Sequence, residues 1–278
     1  SKNGSGDLTL NGANSFTGGF NLNAGKVTLG NANALGFGTI TAAGGTTLET
    51  SSSEILSNNL DLDGALTLSG NNDLTLNGVL FGSGRLVTTG NRTLTLNSAN
   101  AFTGGVTFGG GTLAVGNSHA LGLGTLSLVG DTQLDANSTV SLNNNIALST
   151  HTLTLPGTNA TTLAGSISGS GALVKHGSSD LTLSGFNAFS GVVYKDGKKL
   201  SQCGIRLGGG GFRQGGITYS SDPSAPSGSY NEMVMVEKDD QAMYFKPLGM
   251  AMHRGRSDKL TQEGLAEFFW ELLIKQLQ

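Results

Sequence analysis

The sequence predicts an all-β fold. A right-handed parallel β-solenoid is expected over residues 1–200, followed over 201–278 by a small α+β cap or module ending in a helix. Three observations carry this expectation. The block Leu8-Thr9-Leu10-Asn11-Gly12-Ala13-Asn14-Ser15-Phe16-Thr17-Gly18-Gly19 returns from Leu94 and again from Leu181, at spacings of 86 and 87 residues. Short apolar–polar–apolar triplets fill the chain up to about residue 190. The composition then changes sharply.

A fixed period marks a stacked array, in which each unit buries its apolar face only against its neighbours. The triplets include Leu8-Thr9-Leu10, Val27-Thr28-Leu29, Leu66-Thr67-Leu68, Leu74-Thr75-Leu76, Leu126-Ser127-Leu128 and Leu153-Thr154-Leu155. Their period of two describes strands with one buried face. Gly, Asn and Ser separate them and suit tight corners. About four coils of roughly 20 residues fit one repeat unit. The right hand follows from the crossover rule for parallel strands.

Composition narrows the function. The 278 residues include 45 glycines and 4 prolines without a Gly-X-Y period, which excludes collagen. The net charge of −3 offers no basic face for nucleic acid. The single cysteine, Cys203, cannot form an internal disulfide. No stretch approaches the ~20 apolar residues of a membrane helix, so no integral membrane segment is expected in this chain. Residues 1–190 carry 14 charges, whereas 191–278 carry 21 together with every Tyr, Met and Trp. Two such compositions predict two domains, 1–200 and 201–278.

Further landmarks keep the register. Asn33-Ala34-Leu35-Gly36-Phe37-Gly38-Thr39 matches His119-Ala120-Leu121-Gly122-Leu123-Gly124-Thr125. Lys2-Asn3-Gly4-Ser5-Gly6-Asp7 matches Lys175-His176-Gly177-Ser178-Ser179-Asp180. The chain thus opens inside a repeat and is expected to be part of a longer one. Together these blocks resemble the passenger-associated transport repeats of bacterial autotransporters. The resemblance implies a secreted or surface-displayed β-helical stalk in a Gram-negative-type envelope, exported across the outer membrane, with folding of the solenoid assisting export. It implies a host-cell or surface protein, or a glycan, as partner.

Past residue 200 the repeat decays. Gly208–Gly211 and Ser221–Gly228 read as loops. Met233–Val236 and Ala242–Phe245 read as strands. Ser257-Asp258 caps a helix whose stripe runs through Leu260, Leu265, Phe268, Phe269, Leu272 and Leu273. A terminal coil exposes strand edges, so a capping role suits this part.

Candidate chemistry is sparse and lies in the same part. Cys203, His253 and Asp258 could supply a nucleophile, a base and its orienter. Gly216–Ala225 and Tyr230–Val236 are similar to two pieces of the ADP-ribosyltransferase core of the poly-ADP-ribose polymerase type. That likeness would give Tyr219 a nicotinamide-stacking role and Glu232 the catalytic role. The NAD-binding His-Gly strand of that core has no counterpart upstream. Gly208–Arg213 lacks the Gly-Lys-Ser/Thr ending of a phosphate loop. His119, His151 and His176 lack metal-ligand spacing, and Asp61, Asp63 and Asp73 lack a calcium-roll motif, so no metal and no cofactor are expected. The primary expectation is a non-enzymatic stalk or adhesion scaffold. The alternative is a solenoid presenting a small toxin-like ADP-ribosyltransferase or Cys hydrolase.

Overall fold

In a computed structural model, residues 1–202 and 217–219 are described. The chain winds as a parallel β-solenoid with three faces and no helix among the described residues. The first face is a ten-stranded sheet from Asp7–Leu10 to Ala188–Phe189. The second is a nine-stranded sheet from Glu54–Leu56 to Lys198–Gln202. The third face holds two four-stranded sheets, one starting at Phe20–Leu22 and one ending at Ile217–Tyr219. Loops at 97–105 and 117–125 bridge them. Ala101 N–H donates to Leu80 O (2.8 Å), Asn100 N–H to His119 O (3.1 Å), and Ser141 N–H to Ser118 Oγ (2.9 Å).

The triplets explain the interior. In Leu66–Ser69, Leu74–Leu76 and Leu94–Leu96 every Leu is buried, while the intervening Thr faces out. Pairing is parallel and in register, as in Leu66↔Leu86↔Val106↔Leu126↔Ile146↔Ile167. Each inward side chain therefore sits on another from the adjacent coil, and the column runs through one continuous apolar core.

The repeat is not a whole number of coils. Asp7, Lys26, Thr47, Thr67 and Val87 pair in succession, so four coils above Asp7 lies Val87. The counterpart of Asp7 in the second copy is Thr93, six residues further on. Thr93, Thr112, Gln133, Thr154 and Val174 form the next such series, and the counterpart in the third copy is Asp180, again six further on. Six residues carry the chain from one face to the next. The block beginning at Leu8 is on the first face, that at Leu94 on the second and that at Leu181 on the third. The expected four coils per unit are thus four and about a third.

The parallel stacking stops near residue 195. Lys198–Gln202 folds back antiparallel on Val192–Lys195 through Asp196 (φ 48°) and Gly197 (φ 81°). Ile217–Tyr219 runs antiparallel to Leu181–Leu183. The strands expected at 233–236 and 242–245, and the helix expected from 258, lie outside the described residues.

The packing yields two expectations. Leu94 is fully buried, so Leu94→Ala should lower the urea-unfolding free energy by about 2–5 kcal/mol, whereas Thr95→Ala on the outer surface should change it by less than ~0.5 kcal/mol. Gly122 has φ +64°, and a Cβ there would lie 2.5 Å from Phe102 O and 2.9 Å from Phe102 Cδ1. Gly122→Ala should therefore destabilise by about 1–3 kcal/mol in the same measurement.

Candidate functional site: the paired loops of the repeat

In each of the first two copies, two successive coils replace a strand by a loop. In the second copy these are 97–105 and 117–125. Buried Asn100 joins three coils: its Oδ1 accepts from Leu80 N–H (2.8 Å) and its Nδ2 donates to Ala120 O (2.6 Å). Asn144, on the next coil, donates through Nδ2 to Gly122 O (3.0 Å) and Gly124 O (2.7 Å). The first copy repeats this. Asn14 Nδ2 donates to Ala34 O (2.8 Å), and Asn58 Nδ2 to Gly36 O (3.0 Å) and Gly38 O (2.7 Å). In the third copy Asn187 Oδ1 accepts from Ile167 N–H (2.9 Å). A side-chain amide offers donor and acceptor together, so it can replace the missing strand ladder on both sides.

This lattice holds an apolar side chain outward at the same place in each loop pair; in the first copy Phe16 is also exposed (41%), whereas its counterpart Phe102 is buried. Phe37 is 64% exposed and Leu123 67% exposed, and they occupy equivalent positions. Their N–H groups donate to Phe16 O and Phe102 O, both at 2.9 Å. The intervening glycines Gly36 and Gly122, both at φ +64°, are what allow the turn. Neither knob has a titratable group in its own loop turn, Gly36–Gly38 or Gly122–Gly124, so the arrangement suits contact rather than proton transfer.

Charged groups pair between neighbouring coils. Lys26 Nζ lies 3.1 Å from both Asp7 Oδ2 and Glu49 Oε2, one carboxylate on either neighbouring coil. Hydrogen bonds to Asp7 and then Glu49 hold its ammonium above the usual lysine range. Lys2 Nζ donates to Gly4 O and to Ala24 O (3.1 Å), and buried Lys175 Nζ to His176 O (2.5 Å) and Gly177 O (3.4 Å). The three histidines among the described residues do not converge. His151 Nδ1 is 3.8 Å from Asp131 Oδ1, His176 Nδ1 is 3.7 Å from Asp196 Oδ1, and His119 lies in the 117–125 loop. Asp61 faces outward on the third face, and Asp73 Oδ1 accepts from Thr93 N–H (2.8 Å). No group of three metal-ligating side chains occurs among the described residues.

Of the four catalytic candidates, the structure places only Tyr219, at the end of Ile217–Tyr219 opposite Leu181. Cys203, Glu232 and His253 lie outside the described residues, as does Asp258. The knobs Phe37 and Leu123 were not singled out from sequence, although the x of Ala-Leu-Gly-x-Gly-Thr is apolar in both copies. Among the described residues no helix is long and apolar enough to cross a membrane.

Comparison with known proteins adds two family matches. Residues 1–29 and 86–115 match the passenger-associated-transport-repeat, and residues 181–275 match the Y4lF protein domain. A 93-residue stretch is 42% identical to the uncharacterized protein y4lF of Sinorhizobium fredii. That stretch covers 33% of this chain and 28% of the relative, so the chain spans less than a third of the protein it matches. No solved structure matches. The second matched stretch, 86–115, holds the Leu94–Gly105 block, and the Y4lF match begins at Leu181, on the last solenoid coil. The chain carries the passenger-associated transport repeat in two stretches about one period apart, wound into a parallel β-solenoid.

Proposed function

We propose that residues 1–200 are an exported passenger stalk, secreted or held at the bacterial surface, that serves as a non-enzymatic adhesion scaffold. The observation that carries this reading is the coincidence of the passenger-associated repeat with an unbroken ten-rung sheet. A solenoid needs only its nearest neighbours to stabilise each coil, so it can fold coil by coil as it leaves a pore. Its length projects whatever it carries away from its origin, by about 4.8 Å per rung.

The contact points in this reading are Phe37 and Leu123. A rigid exposed apolar knob suits a protein surface better than a sugar, since no Tyr or Trp precedes Tyr194 to stack on a glycan ring. Residues 201–278 are read as a cap or appended module. Support comes from the two antiparallel strands, Lys198–Gln202 and Ile217–Tyr219, that cover edges a further parallel coil would use.

Surface location is tested by expressing the full-length protein in its bacterium and treating intact cells with proteinase. Loss of the solenoid from intact cells is expected; loss only after lysis would overturn the export reading. In parallel, Phe37→Ala with Leu123→Ala should leave the unfolding midpoint unchanged while reducing adhesion of displaying cells several-fold. Unchanged adhesion would remove the knobs from the contact surface.

A further inference from the structure

The corner between the first and second faces contains a buried cation with no hydrogen-bonded partner, although Glu49 and Asp73 act on it through space. Arg92 lies between Leu86–Thr88 on the first face and Thr93–Leu96 on the second. It falls in the inward alternation of Leu94 and Leu96 and is 2% exposed. Its Nε, Nη1 and Nη2 have no hydrogen-bond partner. Burial lowers its pKa, against the pull of Glu49 and Asp73, but a guanidinium stays charged at any ordinary pH. Neither carboxylate is bonded to it. Glu49 pairs with Lys26 at 3.1 Å, and Asp73 is engaged by Thr93 N–H.

The equivalent corners in the other two copies are solved differently. There the cation is Lys2 or Lys175, whose ammonium donates to backbone carbonyls. In the middle copy Thr88 stands at the lysine position, and the cation comes from position 92, where the other copies have Gly6 and Ser179. No carbonyl takes up Arg92. The coil above contributes Gly109, Gly110 and Gly111, which bring no side chain to this corner; Gly111 sits directly over the Arg92 backbone.

Unpaired polar atoms gather along this one corner. Six buried side-chain atoms lack a partner among the described residues. Three belong to Arg92. Two more are Thr50 Oγ1 and Thr132 Oγ1, at the same corner two coils to either side. Asn72, on the coil below Arg92, already spends its Nδ2 on Thr50 O (2.7 Å). The Thr50 and Thr132 hydroxyls are each about 10 Å away along the axis, so at Arg92 itself the unsatisfied atoms are guanidinium N–H donors alone. A buried unpaired charge costs several kcal/mol, and a bound ion of opposite sign removes that cost.

We propose that this corner is a binding site for one small inorganic anion of the chloride class, held by the Arg92 guanidinium inside the solenoid. The test uses the full chain. Chloride-35 NMR should show line broadening that bromide competes away and that Arg92→Met abolishes. The thermal midpoint should be several degrees higher in sodium chloride than in sodium gluconate at equal ionic strength, with no difference for Arg92→Met. Crystals of the unaltered protein grown in bromide should show an anomalous peak beside Arg92, a readout that does not depend on the variant folding. Equal midpoints in the two salts for the unaltered protein, or a bromide-free corner occupied by water alone, would overturn the proposal.

Discussion

Everything in this structure depends on the hydrogen-bond ladder between one coil and the next. Each strand is two to five residues long and could not persist alone. It persists because its backbone groups are shared with the coil above and the coil below, at a fixed rise of about 4.8 Å. That rise in turn fixes the cross-section. A coil with one residue too many must bulge or slip, and a slip by one would turn every Leu outward. Spacings of 19, 20 and 21 residues between paired positions mark the tolerance the corners absorb.

The corners use a small set of solutions to the same problem, which is how to satisfy backbone groups where the ladder is interrupted. Side-chain amides do it at Asn14, Asn58, Asn100 and Asn144 by reaching to a neighbouring coil. Ammonium groups do it at Lys2 and Lys175 by collecting carbonyls. Glycine does it where a Cβ would collide with the adjacent coil, as at Gly122. The buried Asn residues are therefore structural in the strict sense: each removes an unpaired amide or carbonyl that would otherwise be sealed in the core.

Much of the fold was legible in the sequence because two periods are written in it. The alternation of Leu with Thr gave the strands and their buried face, and the recurrence of Leu8–Gly19 gave the array. The advance from face to face was not legible, since 86 residues can be compared with a coil only when the coil length is known. Exposure of Phe37 and Leu123 was hidden for a related reason: an apolar residue between glycines looks the same whether it points in or out. The burial of Arg92 was not legible either, because a charge next to a strand is ordinarily solvated; in the structure it joins the inward alternation of Leu94 and Leu96. Beyond residue 202, Cys203, His253 and Asp258 rest on residue type and Tyr219 and Glu232 on a local likeness of sequence, and of these only the backbone of Tyr219 is placed.

The extra third of a coil in each repeat gives the stalk a slow screw symmetry. Copying the repeat both advances it along the axis and turns it by one face. Successive copies present the same loop to different sides, and the pattern returns only after three repeats. At about 4.8 Å per coil, that return comes after roughly 60 Å of shaft. A flat partner lying against one side would meet a given loop only once in that length, whereas partners approaching from different directions would each find one. Lengthening such a solenoid by whole repeats therefore distributes its loops around the axis and keeps identical loops of successive repeats off the same side.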